Sequence, residues 1–137
     1  MTAHLMDTSV LVAWYLPESF SQEARKWQKR LLANEIELYV PRLHYYEFSN
    51  VLRTYVKRRE IEMNLARDIL ETHMLAPLVT LDPDPIAILN TALEYDMTAY
   101  DAAFVVLALE RKLTLITAER SATGWIKRLG SMVQSIV

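Results

Sequence analysis

Cysteine is missing from this chain of 137 residues, and glycine occurs only twice. Without cysteine the protein can form no disulfide and no cysteine-based zinc site. The three histidines are scattered without ligand spacing, so a histidine metal site is not expected either. Gly124 and Gly130 cannot build a glycine-rich phosphate loop, which excludes both the dinucleotide fingerprint and the P-loop. We therefore expect no nucleotide cofactor.

Long hydrophobic runs and an excess of positive charge are absent as well. No apolar stretch approaches the roughly 20 residues of a membrane span, and the start of the chain, MTAHLMDTS, does not resemble a signal peptide. The net charge of −2 argues against a protein that coats nucleic acid through bulk positive charge. It is compatible with an enzyme whose metal ions supply positive charge locally. We expect a cytoplasmic protein with no membrane partner.

Short apolar strands alternate with helices along the whole chain, and no repeat or linker-like stretch interrupts them. The predicted strands are 4–6, 36–40, 77–81, 113–117 and 132–137. The predicted helices are 9–16, 19–34, 43–59, 64–74, 84–95, 98–112 and 125–129. This alternation is typical of a parallel sheet covered by helices on both faces. The sequence predicts a single α/β domain over residues 1–137, with three layers and four or five strands.

Local capping patterns mark three of the predicted helix starts. Ser19 opens a capping-box pattern with the glutamine three residues later, and Thr98 does the same with Asp101 in the acidic position. Asp84 is followed by Pro85, a preferred first residue of a helix. The long helix over 43–59 is amphipathic. Its inward-facing residues are predicted to be Tyr46, Val51, Leu52 and Tyr55.

Four acidic residues from distant parts of the chain are predicted to meet at one edge of this sheet. Asp7 and Glu119 follow the first and fourth strands, while Glu47 and Asp101 lie in the first turns of helices that start at the same edge. In open α/β sheets ligands bind beyond the carboxyl ends of the strands. Clustered carboxylates raise each other's pKa unless a cation compensates them. The oxygen-only set therefore predicts a site for Mg²⁺ or Mn²⁺, positioned for phosphodiester hydrolysis.

Each acid also has a purely structural interpretation. Asp7 in the sequence DTS can serve only as a helix cap, and Asp101 can be only the reciprocal residue of a capping box. Apolar neighbours surround Asp101 and Glu47, and such surroundings are costly for an unpartnered charge. Glu119, taken by itself, is typical of a surface residue in a loop. The joint placement of the four, rather than any one of them, favours a functional site.

Four stretches of the chain carry a resemblance to the PIN-domain family, and most closely to the single-domain toxins of VapBC-type toxin–antitoxin pairs. They are LMDTSVLV over 5–12, PRLHYYEFSNVL over 41–52, TAYDAAF over 98–104 and LTLITAER over 113–120. The resemblance implies a metal-dependent endoribonuclease that acts on RNA. It also implies a homodimer and inhibition by a small antitoxin protein that covers the active site.

The same resemblance implies roles for particular residues. Asp7, Glu47 and Asp101 correspond to the core metal ligands, Thr117 to the family's hydroxyl residue near the site, and Ser9 would be a supporting polar group. Where this chain has Glu119 the family commonly has aspartate. The longer side chain leaves open whether Glu119 binds metal directly, through water or not at all, and whether one or two ions are held.

Other functions remain compatible with these residues. A PIN-like module that binds RNA or a partner without cutting is one alternative, and a purely structural subunit is another. A phosphotransfer enzyme with Asp7 as nucleophile is disfavoured, because that chemistry wants a second aspartate where this chain has Ser9.

Basic and aromatic side chains near the predicted site have open roles. The basic ones can contact RNA phosphates or simply favour the dipole at a helix end; they are Arg42, Arg53, Lys57, Arg58 and Arg59. The aromatic ones can stack bases, although core or dimer contacts are the favoured interpretation; they are Trp14, Tyr15, Tyr45 and Tyr46.

Overall fold

The structure, a computed structural model, describes residues 1–121 and 123–137. Its strands are β1 (Thr2–Met6), β2 (Ile36–Val40), β3 (Val79–Thr80), β4 (Thr114–Thr117) and β5 (Val133–Ser135). They form one sheet in the order β3-β2-β1-β4-β5, and every neighbouring pair is parallel. The predicted parallel sheet is confirmed, with five strands and with β1 at its centre.

The helices of the described chain connect these strands. They are α1 (Thr8–Val12), α2 (Ser21–Leu32), α3 (Leu43–Lys57), α4 (Met63–Met74), α5 (Pro85–Tyr95), α6 (Ala99–Arg111) and α7 (Gly124–Leu129). None of the helices in the described ranges combines the length and the apolar character that a membrane crossing requires.

Two hydrophobic clusters cover the two faces of the sheet. One packs the α1–α4 side, where Phe48 and Leu11 are fully buried. The other packs the α6–α7 side and contains Phe104, Leu107 and Trp125. The central strand β1 contributes Met6 to the first cluster and Leu5 to the second, because successive side chains of a strand point to opposite faces of the sheet. The fold is the three-layer α/β/α arrangement that the sequence predicts.

Two of the three predicted caps are confirmed. Asp84 accepts a hydrogen bond from the backbone N–H of Ala87 at 3.0 Å, and Pro85 is the first residue of α5. Thr98 accepts one from the backbone N–H of Asp101 at 3.1 Å, which closes the first turn of α6. Both helices therefore begin where local side-chain chemistry satisfies a backbone donor.

The capping box predicted at Ser19 is wrong. Helix α2 begins at Ser21, and Phe20 at the N-cap position makes no side-chain capping bond. The hydroxyl of Ser21 accepts a hydrogen bond from the Glu18 N–H at 2.9 Å and donates one to the Leu16 carbonyl at 3.0 Å. This serine ties down the preceding turn, so the helix starts two residues later than predicted.

The prediction that Tyr46 faces inward is also wrong, because 66% of its surface is exposed. The buried side of α3 is formed by His44, Phe48 and Leu52, which are spaced four residues apart. At about 100° per residue, Tyr46 lies some 200° from His44 and equally far from Phe48. Its side chain therefore lies opposite the core.

Candidate functional site

Asp7 stands at the carboxyl end of the central strand, next to the end of β4. Met6 on β1 pairs with Ile116 on β4, so the next residues along the two parallel chains, Asp7 and Thr117, are neighbours. The Thr117 hydroxyl, which is fully buried, donates a hydrogen bond to Asp7 Oδ2 at 2.8 Å. Asp7 occupies the N-cap position of α1, but its side chain makes no capping bond to the helix. The side-chain partner of this carboxylate thus lies on a neighbouring strand, while the backbone N–H of Ser9 in the helix that follows also lowers its pKa.

Glu47 lies in the second turn of α3 and receives a hydrogen bond that sequence reasoning missed. The Thr8 hydroxyl donates to Glu47 Oε1 at 2.7 Å across a separation of 39 residues. Thr8 is the first residue of α1 and is buried. Thr8 directly follows Asp7 in the sequence, so its hydroxyl must lie near the same edge of the sheet. The sequence does not identify Glu47 as its partner, because that contact depends on where α3 packs.

Burial raises the pKa of three of the four acids, and repulsion from neighbouring acids adds to this rise at Asp7 and Glu47. Burial raises the pKa of Asp7 to about 6, with the Thr117 hydroxyl opposing the rise and Asp101 and Glu119 adding to it. Burial also raises the pKa of Glu47, against its bond from Thr8 and with help from Asp7 and Asp101. The pKa of Asp101 is raised by burial as well. No basic side chain is among the groups that lower the pKa of Asp7, Glu47 or Asp101, so these three carboxyl groups are not compensated by positive charge.

Glu119 differs from the other three acids because its side chain is exposed. Its backbone, in contrast, is held on both sides. The N–H donates to Thr117 Oγ1 at 3.0 Å, and the carbonyl accepts from the Ser135 hydroxyl at 2.6 Å. The loop after β4 is thus anchored at Glu119, while the carboxylate itself keeps its rotamer freedom.

Ser9 is the second residue of α1 and contacts the chain just beyond the end of β4. Its hydroxyl accepts a hydrogen bond from the Ala118 backbone N–H at 3.4 Å. Ser9 therefore links the first helix to the loop that carries Glu119. The contact supports the backbone of the site rather than the carboxylate of Asp7.

The donor set suits a hard divalent cation, although the side chains are not drawn together as a ready-made cage. Within residues 1–121 and 123–137, no three acidic or histidine side chains are close enough to hold one ion as they stand. Mg²⁺ does not need such a cage, because it keeps several waters and binds through one or two carboxylates plus substrate phosphate. Raised carboxyl pKa values and oxygen-only donors both fit this mode of binding.

A buried pair of histidines joins α3, the helix that carries Glu47, to α4. The two side chains, His44 and His73, are completely buried, and their Nε2 atoms are 3.0 Å apart. His44 Nδ1 is 2.9 Å from the Pro41 carbonyl oxygen, and His73 Nδ1 is 3.1 Å from the Tyr15 hydroxyl. Histidines without metal-ligand spacing gave no signal for this network in the sequence.

Only one arrangement of protons satisfies this network when both rings are neutral. The Pro41 carbonyl can only accept, so His44 Nδ1 carries its proton and His44 Nε2 accepts. His73 Nε2 must then donate to His44, and His73 Nδ1 accepts from Tyr15. Burial lowers the pKa of His44 to about 4 and that of His73 to about 3, the second with added repulsion from His44. The neutral pair therefore braces the first turn of α3 at neutral pH.

A family model described as the PIN domain matches residues 5–123 of this chain. The match spans most of the sequence and includes the four acids at the carboxyl edge. The chain belongs to the PIN-domain family, as its sequence motifs predict.

Known proteins resemble the chain in sequence and in fold. Ribonuclease VapC3 from Pyrobaculum aerophilum is 29% identical over 126 residues, which cover 85% of this chain and 88% of the relative. The crystal structure of PAE2754 from the same organism has a TM-score of 0.74 at 23% identity, covering 99% of this chain and 92% of the other. A toxin–antitoxin complex from Klebsiella pneumoniae gives 0.58 at 16%, covering 98% of each chain. The structural likenesses are evidence for the fold.

Proposed function

We propose that this chain is one PIN-like nuclease domain that cuts RNA phosphodiester bonds with the help of Mg²⁺ or Mn²⁺, and that it acts as the toxin of a toxin–antitoxin pair. The observation that carries the proposal is the set of partly desolvated carboxylates at the carboxyl edge of a PIN-family sheet, with the pKa of Asp7 raised to about 6. The likeness to a protein named as a ribonuclease supports the reaction. The likeness to a toxin–antitoxin complex supports the biological role and a small antitoxin partner.

The side chains have distinct tasks in this proposal. Asp7, Glu47 and Asp101 would hold the ion, and Glu119 would act through water. A divalent ion held by these residues would supply the positive charge that activates an attacking water and offsets charge developing on the phosphate. Thr117 orients Asp7 at 2.8 Å, as Thr8 orients Glu47 at 2.7 Å, by donating to one oxygen of each carboxylate. These hydroxyls hold the ligands in place before an ion binds.

The basic residues differ in their distance from this edge. Arg42 immediately precedes α3, where the helix leaves the carboxyl end of β2, and it pairs at 3.8 Å with the exposed Asp82. Arg53 and Lys57 lie several turns further along α3, away from the carboxylates. Arg42 is therefore better placed than Arg53 or Lys57 to meet an RNA phosphate. A homodimer stays part of the proposal, supported by the exposed apolar side chains of Ile86, Leu89 and Leu93 on α5.

The test of the proposed function is cleavage of single-stranded RNA by the purified chain. Cleavage should require Mg²⁺ or Mn²⁺ and should stop when a chelator is added, because the carboxylates supply no positive charge of their own. Asp101→Asn should abolish cleavage. The matched control Asp68→Asn removes the same charge from an exposed position on α4 and should leave the rate unchanged. RNA binding without cleavage under all metal conditions would support the non-cutting module instead.

Glu119 is expected to matter less than Asp101. Its side chain is exposed and must lose rotamer freedom on coordination, at a cost on the order of 0.5–1 kcal/mol. Glu119→Gln should keep measurable cleavage while Asp101→Asn does not, and Glu119→Asp should cut at least as fast as the natural chain. Titrating Mn²⁺ against activity for the three variants measures this. Complete inactivation of Glu119→Gln, equal to that of Asp101→Asn, would identify Glu119 as a full ligand.

A further inference from the structure

A cleft of about 300 Å³ lies directly beside Glu47. Its wall on α3 consists of one helix face, with residues spaced by three, four and seven positions; these are Leu43, Tyr46, Glu47 and Asn50. Tyr100, in the first turn of α6, forms the opposite wall. The volume is at the lower end of the roughly 300–1,000 Å³ typical of small-molecule sites. The cleft thus has room for a compact group that reaches the carboxylates at the same time.

Two exposed aromatic rings line this cleft. Tyr46 is 66% exposed and Tyr100 is 63% exposed, so much of each ring is in contact with solvent. Within the described part of the chain, neither ring packs against another aromatic ring, and the side chains of Tyr46, Tyr100 and Asn50 make no hydrogen bond. The fold uses neither ring for its core. Their π faces and the Asn50 amide remain available to a ligand.

The two tyrosines stand next to proposed metal ligands in the chain. Tyr46 precedes Glu47, and Tyr100 precedes Asp101. A phosphodiester that reaches these carboxylates carries a nucleoside on each side of its phosphorus. The cleft walls are largely neutral apart from Glu47, so they suit an uncharged flat group better than a second phosphate. Nucleobases stack on tyrosine rings, and an asparagine amide can both donate to and accept from a base edge.

We propose that this cleft is a nucleobase subsite, in which one unpaired base beside the scissile phosphate stacks against Tyr46 and Tyr100 and is hydrogen-bonded by Asn50. The inference rests on the proposed function and assigns base recognition to residues beside its carboxylates. A base held in a duplex is already stacked and paired, so the substrate is single-stranded RNA or the loop of a folded RNA. Tyr46, Tyr100 and Asn50 are then specificity-determining residues of the nuclease.

The test uses a short single-stranded RNA with one base replaced by fluorescent 2-aminopurine, whose emission falls when it stacks. The full chain carries Asp7→Asn so that the RNA stays intact during binding. Adding Tyr46→Ala or Tyr100→Ala should abolish the quenching and weaken affinity about 5- to 150-fold, the range that corresponds to stacking of one base. Tyr46→Phe keeps the ring and should bind normally. Tyr46→Leu keeps apolar bulk without the π face and should behave like Tyr46→Ala.

Leu32→Ala is the matched control, because Leu32 is also 63% exposed but ends α2 near the opposite, amino edge of the sheet. It should leave quenching and affinity unchanged. Unaltered affinity in both tyrosine-to-alanine variants would overturn the subsite. So would a shift from dimer to monomer in sedimentation with unchanged RNA affinity per chain, because the cleft would then face a second copy.

The two proposals can fail separately in these experiments. A natural chain that cleaves RNA with Mg²⁺, while the tyrosine variants bind like their parent, refutes the subsite and leaves the nuclease standing. A chain whose Asp7→Asn form quenches 2-aminopurine through Tyr46, but whose natural form never cleaves, refutes the nuclease and leaves the subsite standing.

Discussion

Asp7→Asn should stabilise the metal-free protein at pH 7 while reducing RNA cleavage to background. Burial raises the pKa of Asp7 from 3.8 to about 6, so the folded chain holds an ionised carboxylate at a cost. At 1.36 kcal/mol per pKa unit this cost is at most about 3 kcal/mol, an upper limit because Asp7 keeps some contact with solvent. Asparagine carries no charge and can still accept from Thr117. The variant loses the metal ligand and the repulsion together.

The pH dependence of this effect has a definite sign. A carboxyl group with a raised pKa favours folding below its unfolded value of 3.8, and that contribution is lost as the pH rises through about 6. The stability gained by Asp7→Asn should therefore be small at pH 4 and fully developed at pH 7. Urea unfolding in the presence of chelator measures it at both values. A variant less stable than the natural chain at pH 7 would contradict the desolvation argument.

Mg²⁺ or Mn²⁺ should reverse this ranking. A divalent ion that binds the native state only stabilises it by mass action, and the natural chain keeps the ligand that Asp7→Asn removes. Its thermal midpoint should rise as the metal is added, whereas that of the variant should barely change. Asp68→Asn again serves as control and should respond like the natural chain. Equal rises of the thermal midpoint in all three proteins would show that Asp7 is not a ligand of the metal ion.

Replacing His73 by phenylalanine should destabilise the protein by about 2–5 kcal/mol at pH 7, because the buried His44 Nε2 and the half-buried Tyr15 hydroxyl lose their partner. The Tyr15 hydroxyl and His44 Nε2 both bond to His73, at 3.1 and 3.0 Å. The ring itself is replaceable, since His73 stacks on Phe48 with 4.3 Å between centroids. The loss therefore measures the hydrogen-bond network rather than the packing. Equilibrium unfolding in urea at pH 7 tests this directly.

Acid should weaken the natural chain through the same two histidines. Their folded pKa values of about 4 and about 3 lie below the ordinary 6.5, so the unfolded chain binds more protons between these limits. The free energy of unfolding is then highest above pH 6.5 and falls as the pH drops toward 4. No carboxylate contributes to either shift, so a proton there is uncompensated. His73→Phe should flatten this slope, and a slope equal to that of the natural chain would refute the assignment.

The acid response has contributions of opposite sign that variants can separate. Between pH 4 and 6 the histidine pair makes the protein more stable as the pH rises, while Asp7 makes it less stable. Asp7→Asn should therefore show a steeper acid loss than the natural chain. His4→Gln is the matched histidine control. Because His4 lies outside the pair, this variant should retain most of the slope.

The order of elements and their local starts follow from the sequence alone. Alternating strands and helices predict the parallel sheet, since each short apolar run must be covered on both faces. Asp84 and Thr98 cap their helices through residues three positions away, and such contacts need no tertiary structure. The position of Asp7 after a buried strand and of Glu47 near a helix start also predicts their common edge. These features depend on periodicity and on neighbours along the chain.

Tertiary structure decided which polar groups meet. Thr117 and Asp7 are 110 residues apart, and Thr8 and Glu47 are 39 apart, yet each pair is joined by one hydrogen bond. Hydrophobic periodicity reports which face of an element is buried, but it does not report the partner across the interface. Tyr46 illustrates a related limit of sequence patterns. An aromatic residue in an amphipathic helix is predicted to be buried, and only the structure shows that the buried face of α3 lies on the other side. The order of strands and helices therefore determines at which edge of the sheet the acids lie. The hydrogen bonds of the site and its aromatic cleft depend on how the helices pack.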